Sequence, residues 1–222
     1  MKKTFLIIIY LFITLLLQAQ VSKTINITAG GLYSALSVTE KNTVTNLTVT
    51  GTIDASDFKT MRDNMLALAV LDLSGTTIAA YSGNLGTSGS TEYTFSYPAS
   101  TIPNYAFFKS VGKTNLTSFI FPSSVTSIAD NAFLGCSGLS SISIPSSVNS
   151  IGNGAFSYCI GLTSISIPPS CTSIAVYAFY NCSGLTSFTI PPSVTSIGSA
   201  SIMGCSALTS ISIPASVTSL GM

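Results

Sequence analysis

The chain has no histidine and no tryptophan, and only 7% of its 222 residues are charged, against about 25% in an average domain. Without histidine there is no imidazole to act as a general base or to complete a zinc site. Charge is also missing by region: after Lys113 the only charged residue is Asp130. No general acid–base pair can be built there from ordinary side chains, and the many serines have no base to activate them. Two of the eight basic residues, Lys2 and Lys3, lie at the extreme N-terminus, which leaves six basic against seven acidic side chains beyond it. No basic stripe exists to neutralise phosphates, so nucleic acid is not expected as a partner. Cys-x2-Cys spacing is absent, and no metal or other cofactor is implied. Asp54, Asp57 and Asp63 are the one acidic cluster that could in principle hold a hard cation. They are interleaved with Lys59 and Arg62 on a predicted helix, which favours helix capping and solvated ion pairs.

What is present is a repeat. The unit LSSISIPSSVNSIGNGAFSYCIG, Leu139 to Gly161, is followed by copies starting at Leu162, Leu185 and Leu208, each 23 residues on. Cys136, Cys159, Cys182 and Cys205 keep the same step, as do Pro145, Pro168, Pro191 and Pro214. A fixed period of this length predicts a solenoid, because one unit cannot bury its apolar face except against copies of itself. Each unit opens L-x-x-I-x-I, as in Leu139, Ile142 and Ile144. That is the pattern of a short parallel strand with these residues inward and the intervening ones outward. A proline then removes a ladder donor and stops the strand. The expected fold is thus a leucine-rich-repeat-like repeat solenoid: a parallel strand stack, mainly β, with short helices and turns on the outer side.

The first 19 residues carry Lys2 and Lys3, an apolar run from Phe5 to Leu17, and Leu17-Gln18-Ala19 before a polar stretch. They read as a secretory signal peptide, and the run is short for the roughly 20 residues a bilayer span needs. Residues 20–94 read as an N-terminal cap and irregular leucine-rich repeats, and residues 95–222 as the regular array. Leu32 to Lys41 has helical character and would cover the open first end. Asp54 to Met65 predicts a helix with Asp54 or Ser56 as N-cap and Phe58, Met61 and Met65 on one side. Coil starts are expected at residues 44, 68, 90, 116, 139, 162, 185 and 208, about eight coils in all. The one at 90 follows a Gly/Ser/Thr-rich loop, with Tyr93 and Phe95 in inward positions. The last coil stops at Met222 without its Ala-Phe turn, so a truncated array is expected.

Five cysteines in an exported chain suggest disulfides. Here four occupy one inward row, and Cys171 stands where other coils have Val125, Val148 and Val194. The spacing favours a packed row of free thiols, each behaving as a small apolar residue, over a disulfide framework.

The pattern I-P-x-S-V-T-S-I-G-x-x-A-F-x-x-C-x-x-L-T-S-I, over roughly residues 95–222, resembles the BspA-type leucine-rich repeats of bacterial surface antigens. The resemblance implies a secreted or cell-surface protein, without enzymatic activity, that adheres to an extracellular protein or glycan. A structural spacer or stalk of a larger surface protein is the alternative reading. The pattern is broken where Ser201-Ile202 replaces Ala-Phe, and no attachment domain is recognisable.

Two surfaces are candidate binding sites. One is the outward strand face, including Ser141, Ser143, Thr163, Ser164, Ser166, Thr186, Ser187 and Thr189, the side solenoids commonly use for binding. Small hydroxyl residues also stack well, which is the other reason for finding them there. The second is the aromatic set near the Ala-Phe turn: Tyr105, Phe108, Tyr158, Tyr177 and Tyr180. Tyrosine suits protein and glycan contacts, and half-buried packing around the turn is the alternative role.

Overall fold

The structure, a computed structural model, describes residues 20–88, 93–108, 110 and 112–221. The expected signal peptide lies outside them. The first coils are β1 (Ser22–Ile27), α1 (Leu32–Ala35), α2 (Val38–Thr43), β2 (Asn46–Ile53), α3 (Ala55–Asp63) and β3 (Val70–Ile78). A side pair follows, β4 (Tyr81–Gly83) and β5 (Phe95–Tyr97), and then β6 (Thr101–Ile102) and β7 (Ser118–Ile120). The regular coils supply β8 (Ser127–Ile128), β9 (Ser141–Ile142), β10 (Ser150–Ile151) and β11 (Ser164–Ser166). The last strands are β12 (Ser173–Ile174), β13 (Ser187–Thr189), β14 (Ser196–Ile197) and β15 (Ser219–Leu220). All pair in parallel except β4 with β5. The result is the expected parallel-strand solenoid of about eight turns.

Each regular coil contributes two short strands, to two separate ladders. β1-β2-β3-β7 and then β9-β11-β13 form the first, while β6-β8-β10 and β12-β14-β15 form the second. In the regular array the register is the repeat itself. Ser164 lies opposite Ser141 and Ser187, and Ser196 opposite Ser173 and Ser219. A slip by one residue would turn Ile165 outward, so the apolar alternation fixes the stacking.

Three sequence expectations change. The helical stretch from Leu32 is two helices, because Ser37 caps α2 in a capping box with Glu40 and so breaks the run at Leu36. A strand that was not expected, β1, opens the sheet. The coil expected at residue 90 is not in the sheet, since β3 pairs directly with β7. Instead Tyr81 lies opposite Tyr97 in an antiparallel pair, with the two rings 5.9 Å apart. This local ring contact folds the insertion back on itself, leaving Tyr93 66% exposed. The total of about eight coils is kept because β1 supplies one and the insertion removes one.

The core is a set of rows running along the stack. Leu116, Leu139, Leu162 and Leu185 are fully buried, as are Ala106, Ala132, Ala155 and Ala178. Phe107, Phe133, Phe156 and Phe179 form a column with ring centres 5.2, 5.1 and 5.6 Å apart, the last two pairs nearly coplanar in orientation (4° and 2°). Beside them the cysteines are free and buried. Cys159, Cys182 and Cys205 donate S–H to the carbonyls of Phe133, Phe156 and Phe179 at 3.2, 3.1 and 3.2 Å. Each of these carbonyls also accepts the N–H of the cysteine in its own coil, so the thiol adds a bond from the next coil to the same acceptor. The hydroxyls of Ser193 and Ser216 likewise donate across coils, to the carbonyls of Cys171 and Val194, at 2.8 Å each. Gly161 and Gly184 precede the leucine row because a Cβ there would lie 2.2 and 2.4 Å from carbonyl oxygens of the preceding coil.

The N-terminal coils are held differently. Asp57, fully buried, accepts backbone N–H bonds from Gly30, Leu32 and Asp54 at 2.8, 2.9 and 2.9 Å. It thus ties the α1 turn to the start of α3. Arg62, also buried, pairs with Asp63 and donates to the carbonyls of Thr87, Tyr105 and Phe108. Lys113 donates to Met65 O at 2.6 Å. Arg62 and Lys113 fasten the helical coil to the first Ala-Phe turn.

Deleting one ring from the phenylalanine column leaves a cavity that neighbours on both sides cannot fill. Phe156→Ala is expected to lower unfolding free energy by about 3–5 kcal/mol, measured by denaturant unfolding. Alkaline pH tests the thiol row. Burial pushes Cys136 up to about 12 and raises Cys159 and Cys171 as well. Unfolded thiols ionise near pH 8.5, so this stabilisation is complete below that value and is lost as pH climbs toward the folded values. Burial lowers Lys113 to about 8, which has the opposite slope between that value and about 10.4 and offsets one thiol. The net expectation is a melting temperature that falls steadily from about pH 9 upward.

Candidate functional site

The expected hydroxyl set lies where the strand pattern puts it. Ser141, Ser143, Thr163, Ser164, Ser166, Thr186, Ser187 and Thr189 are all exposed. Six of them line a shallow groove of about 560 Å³ across three coils, walled by Ile144, Ile167, Pro168 and Pro169. Thr163 and Thr186 stand outside it. Their hydroxyls donate to the carbonyls of Ser140 and Thr163 in the preceding coil, at 3.1 Å each. These two threonines stitch coils together, whereas the six groove residues present hydroxyls to solvent.

The aromatic set divides in two. Tyr105 and Phe108 sit at the first Ala-Phe turn with ring centres 6.3 Å apart, above the Arg62 guanidinium that binds both their carbonyls. Tyr158, Tyr177 and Tyr180 form a separate cluster two coils further on. Tyr180 meets both others edge to face at 5.4 Å. Tyr158 and Tyr177 are 47% and 49% exposed. Three more exposed apolar residues, Ile160, Val176 and Met203, occupy the same turn edge.

The backbone beneath this cluster is unusual. The residue before Ala-Phe, or before its counterpart Ser201-Ile202, is left-handed in every coil: Tyr105, Asn131, Gly154, Tyr177 and Ala200 have φ between 51° and 60°. The second residue after the Phe position is left-handed too, at Gly135, Tyr158, Asn181 and Gly204. This geometry turns the N–H along the stack. Tyr158 N–H donates to Tyr180 O at 2.7 Å, Tyr177 N–H to Ser199 O at 3.1 Å, and Asn181 N–H to Met203 O at 2.7 Å. Glycine and asparagine adopt this conformation readily. A tyrosine in it is an outlier, costing roughly 1–2 kcal/mol. The stack therefore needs the left-handed turn, but nothing in the stack needs the tyrosines. Sequence reasoning found these residues as aromatics and missed their conformation. The signal was present, since the columns holding Tyr158 and Tyr177 hold glycine and asparagine in sister coils.

The acidic cluster is structural. Asp54 caps α3, Asp57 gathers three backbone amides, and Asp63 pairs with Arg62. Among the described residues no group of three or more potential ligands is placed to hold a metal ion. Among the same residues no helix is long and apolar enough to cross a membrane.

The fold has solved relatives. A leucine rich repeat protein of T. pallidum superposes with a TM-score of 0.56 at 20% identity, over 85% of this chain and 78% of that one. A leucine-rich repeat protein from Bacteroides ovatus superposes with a TM-score of 0.59 at 21% identity, over 89% of this chain. The match spans 47% of the Bacteroides ovatus protein's length. At these identities the likeness shows the fold alone. No curated protein matches the chain. Residues 100–222 match, in six copies, the family described as BspA type leucine rich repeat region. The match covers the coils that carry the Pro, Ala-Phe and Cys positions, and this chain is a BspA-type leucine-rich-repeat protein.

Proposed function

We propose that this chain is an exported, non-enzymatic binding protein that holds an extracellular protein partner on the turn edge formed by Tyr158, Tyr177 and Tyr180. The observation that carries this reading is the left-handed backbone under two half-exposed tyrosines, at positions where glycine and asparagine would cost the stack nothing. Strain kept at exposed residues points to a use outside the fold. The partner contact is apolar and aromatic, because Ile160, Val176 and Met203 flank the tyrosines and Asp130 is the single charged residue after Lys113. Export rests on the N-terminal segment and on the family. The strand-face groove is a second surface, favoured by six outward hydroxyls converging on one depression.

The test is a binding screen of the purified protein against extracellular-matrix proteins and a glycan panel, beside a Tyr158→Asn/Tyr177→Asn variant. Asn131 and Asn181 already occupy these two columns. Relief of strain and loss of the ring contacts, about 0.5–1.5 kcal/mol each, nearly cancel, so the variant is expected to melt within a few degrees of the parent. A protein hit should weaken about 30-fold or more in the variant, the loss of one hot spot. It should also change little with added salt, since no charge pairs are there to screen. A hit retained in the variant would move the site to the strand-face groove. No hit from folded protein would leave the spacer reading standing.

A further inference from the structure

The geometry points to a second ligand site, for a neutral saccharide, on the N-terminal cap and apart from the turn edge. A pocket of about 420 Å³ opens between the α1 turn, the outer face of α3 and the loop after β4. That volume lies within the roughly 300–1,000 Å³ of small-molecule sites. Tyr33 and Leu85 form apolar walls, and each is 57% exposed. Leu32, Leu36, Phe58 and Met61 of the same cap are buried, whereas Tyr33 and Leu85, like Val38 and Leu66, face solvent. The Lys41 ammonium lies 3.4 Å from the centre of the Tyr33 ring. This cation–π contact fixes the ring against the cap.

Between the two walls the pocket is polar. Ser56, Lys59, Thr60 and Asn64 line it from α3 and its C-cap, at helical spacings that put them on one face. Two of these are unspent. Among the described residues the Lys59 ammonium and the Asn64 carboxamide have no hydrogen-bond or ion-pair partner, although both side chains are partly buried. The Ser56 hydroxyl donates to Asp54 and the Thr60 hydroxyl to Ser56 O, and both remain able to accept. The site thus offers amide and ammonium donors, hydroxyl acceptors and an aromatic wall within one small concavity.

Its charge argues for a neutral ligand. Lys59 is the one cation lining the pocket, and the Asp54 carboxylate approaches the same corner, 3.6 Å from where a Cβ on Gly30 would stand. The nearby buried carboxylate offsets the single ammonium and disfavours a phosphate or sulfate, whereas a neutral sugar needs no counter-charge. A pyranose has apolar C–H faces for Tyr33 and Leu85 and a rim of hydroxyls for Asn64, Lys59 and Ser56.

The inference is independent of the turn-edge reading, and its test is separable from it. Saturation-transfer NMR and calorimetry on the intact protein, with free hexoses and N-acetylhexosamines as probes, would be run beside Tyr33→Ala, Asn64→Ala and Tyr158→Asn/Tyr177→Asn. At least one neutral sugar is expected to bind. Affinity should fall about tenfold or more in Tyr33→Ala and about fivefold or more in Asn64→Ala. Melting temperature should be unchanged in both, and binding should be unaltered in the turn-edge variant. The inference is overturned if none of the probes binds, if binding survives Tyr33→Ala, or if binding is lost in the turn-edge variant instead. Binding confined to carboxylated or sulfated sugars would overturn it too, by making the pocket an anion site.

Discussion

A coil of 23 residues cannot bury its own leucine, isoleucines and phenylalanine, because it is only one layer thick. Those side chains leave water only when the next coil lies on top of them, in register. Every other feature of the array follows from that requirement. The phenylalanine rings stack face over face because the same rotamer repeats at the same height. The thiols and serines point along the stack because a carbonyl of the neighbouring coil is what lies there. Glycines precede the leucine row where two backbones come too close for a Cβ. Left-handed residues appear twice per coil, on either side of the Phe position, and their amides join that of the Phe in bonding to the next layer.

The same requirement shapes the surface. A charged residue repeated every coil would face its own copy at strand spacing, and like charges directly opposite are destabilising. The array is accordingly coated in serine and threonine, with Asp130 as the lone charge after Lys113. Such a surface has little electrostatic means of steering or selecting a partner. Recognition is left to shape, hydroxyls and exposed aromatics. That gives weight to the few positions where the repeat is altered at a cost to itself, the left-handed tyrosines above all.

The N-terminal coils solve the packing problem with helices and buried charge. Arg62, Lys113 and Asp57 satisfy backbone groups where helical coils meet each other and the first Ala-Phe turn, a junction where no repeated row is available. A buried charge is tolerable there only because each is hydrogen-bonded to the backbone or paired. This join was the least legible part of the sequence. The helix over residues 55–63 could be read from its N-cap and its apolar spacing. The strand β1 could not, because SKTINI carries one buried position out of six and so little of the pattern that marks a strand. The loop over 82–96 was legible from its composition, but a coil start was placed at residue 90 because Tyr93 and Phe95 fit the template in spacing, whereas Tyr81 and Tyr97, sixteen positions apart, pair instead.

What the sequence determined by itself was the stack. Period, register, inward rows and the outward position of the eight serines and threonines are all set by local alternation and by a repeat that pairs each residue with its own copy. The aromatic set was visible as a list of residues but not as a site. Only the tertiary structure separated Tyr105 and Phe108 from the cluster of Tyr158, Tyr177 and Tyr180, committed Thr163 and Thr186 to neighbouring carbonyls, and opened a pocket between Tyr33 and Leu85. The reason is physical. Repeats encode contacts between equivalent positions, whereas these arrangements bring together positions that are not equivalent, through backbone conformation and packing that no periodicity records.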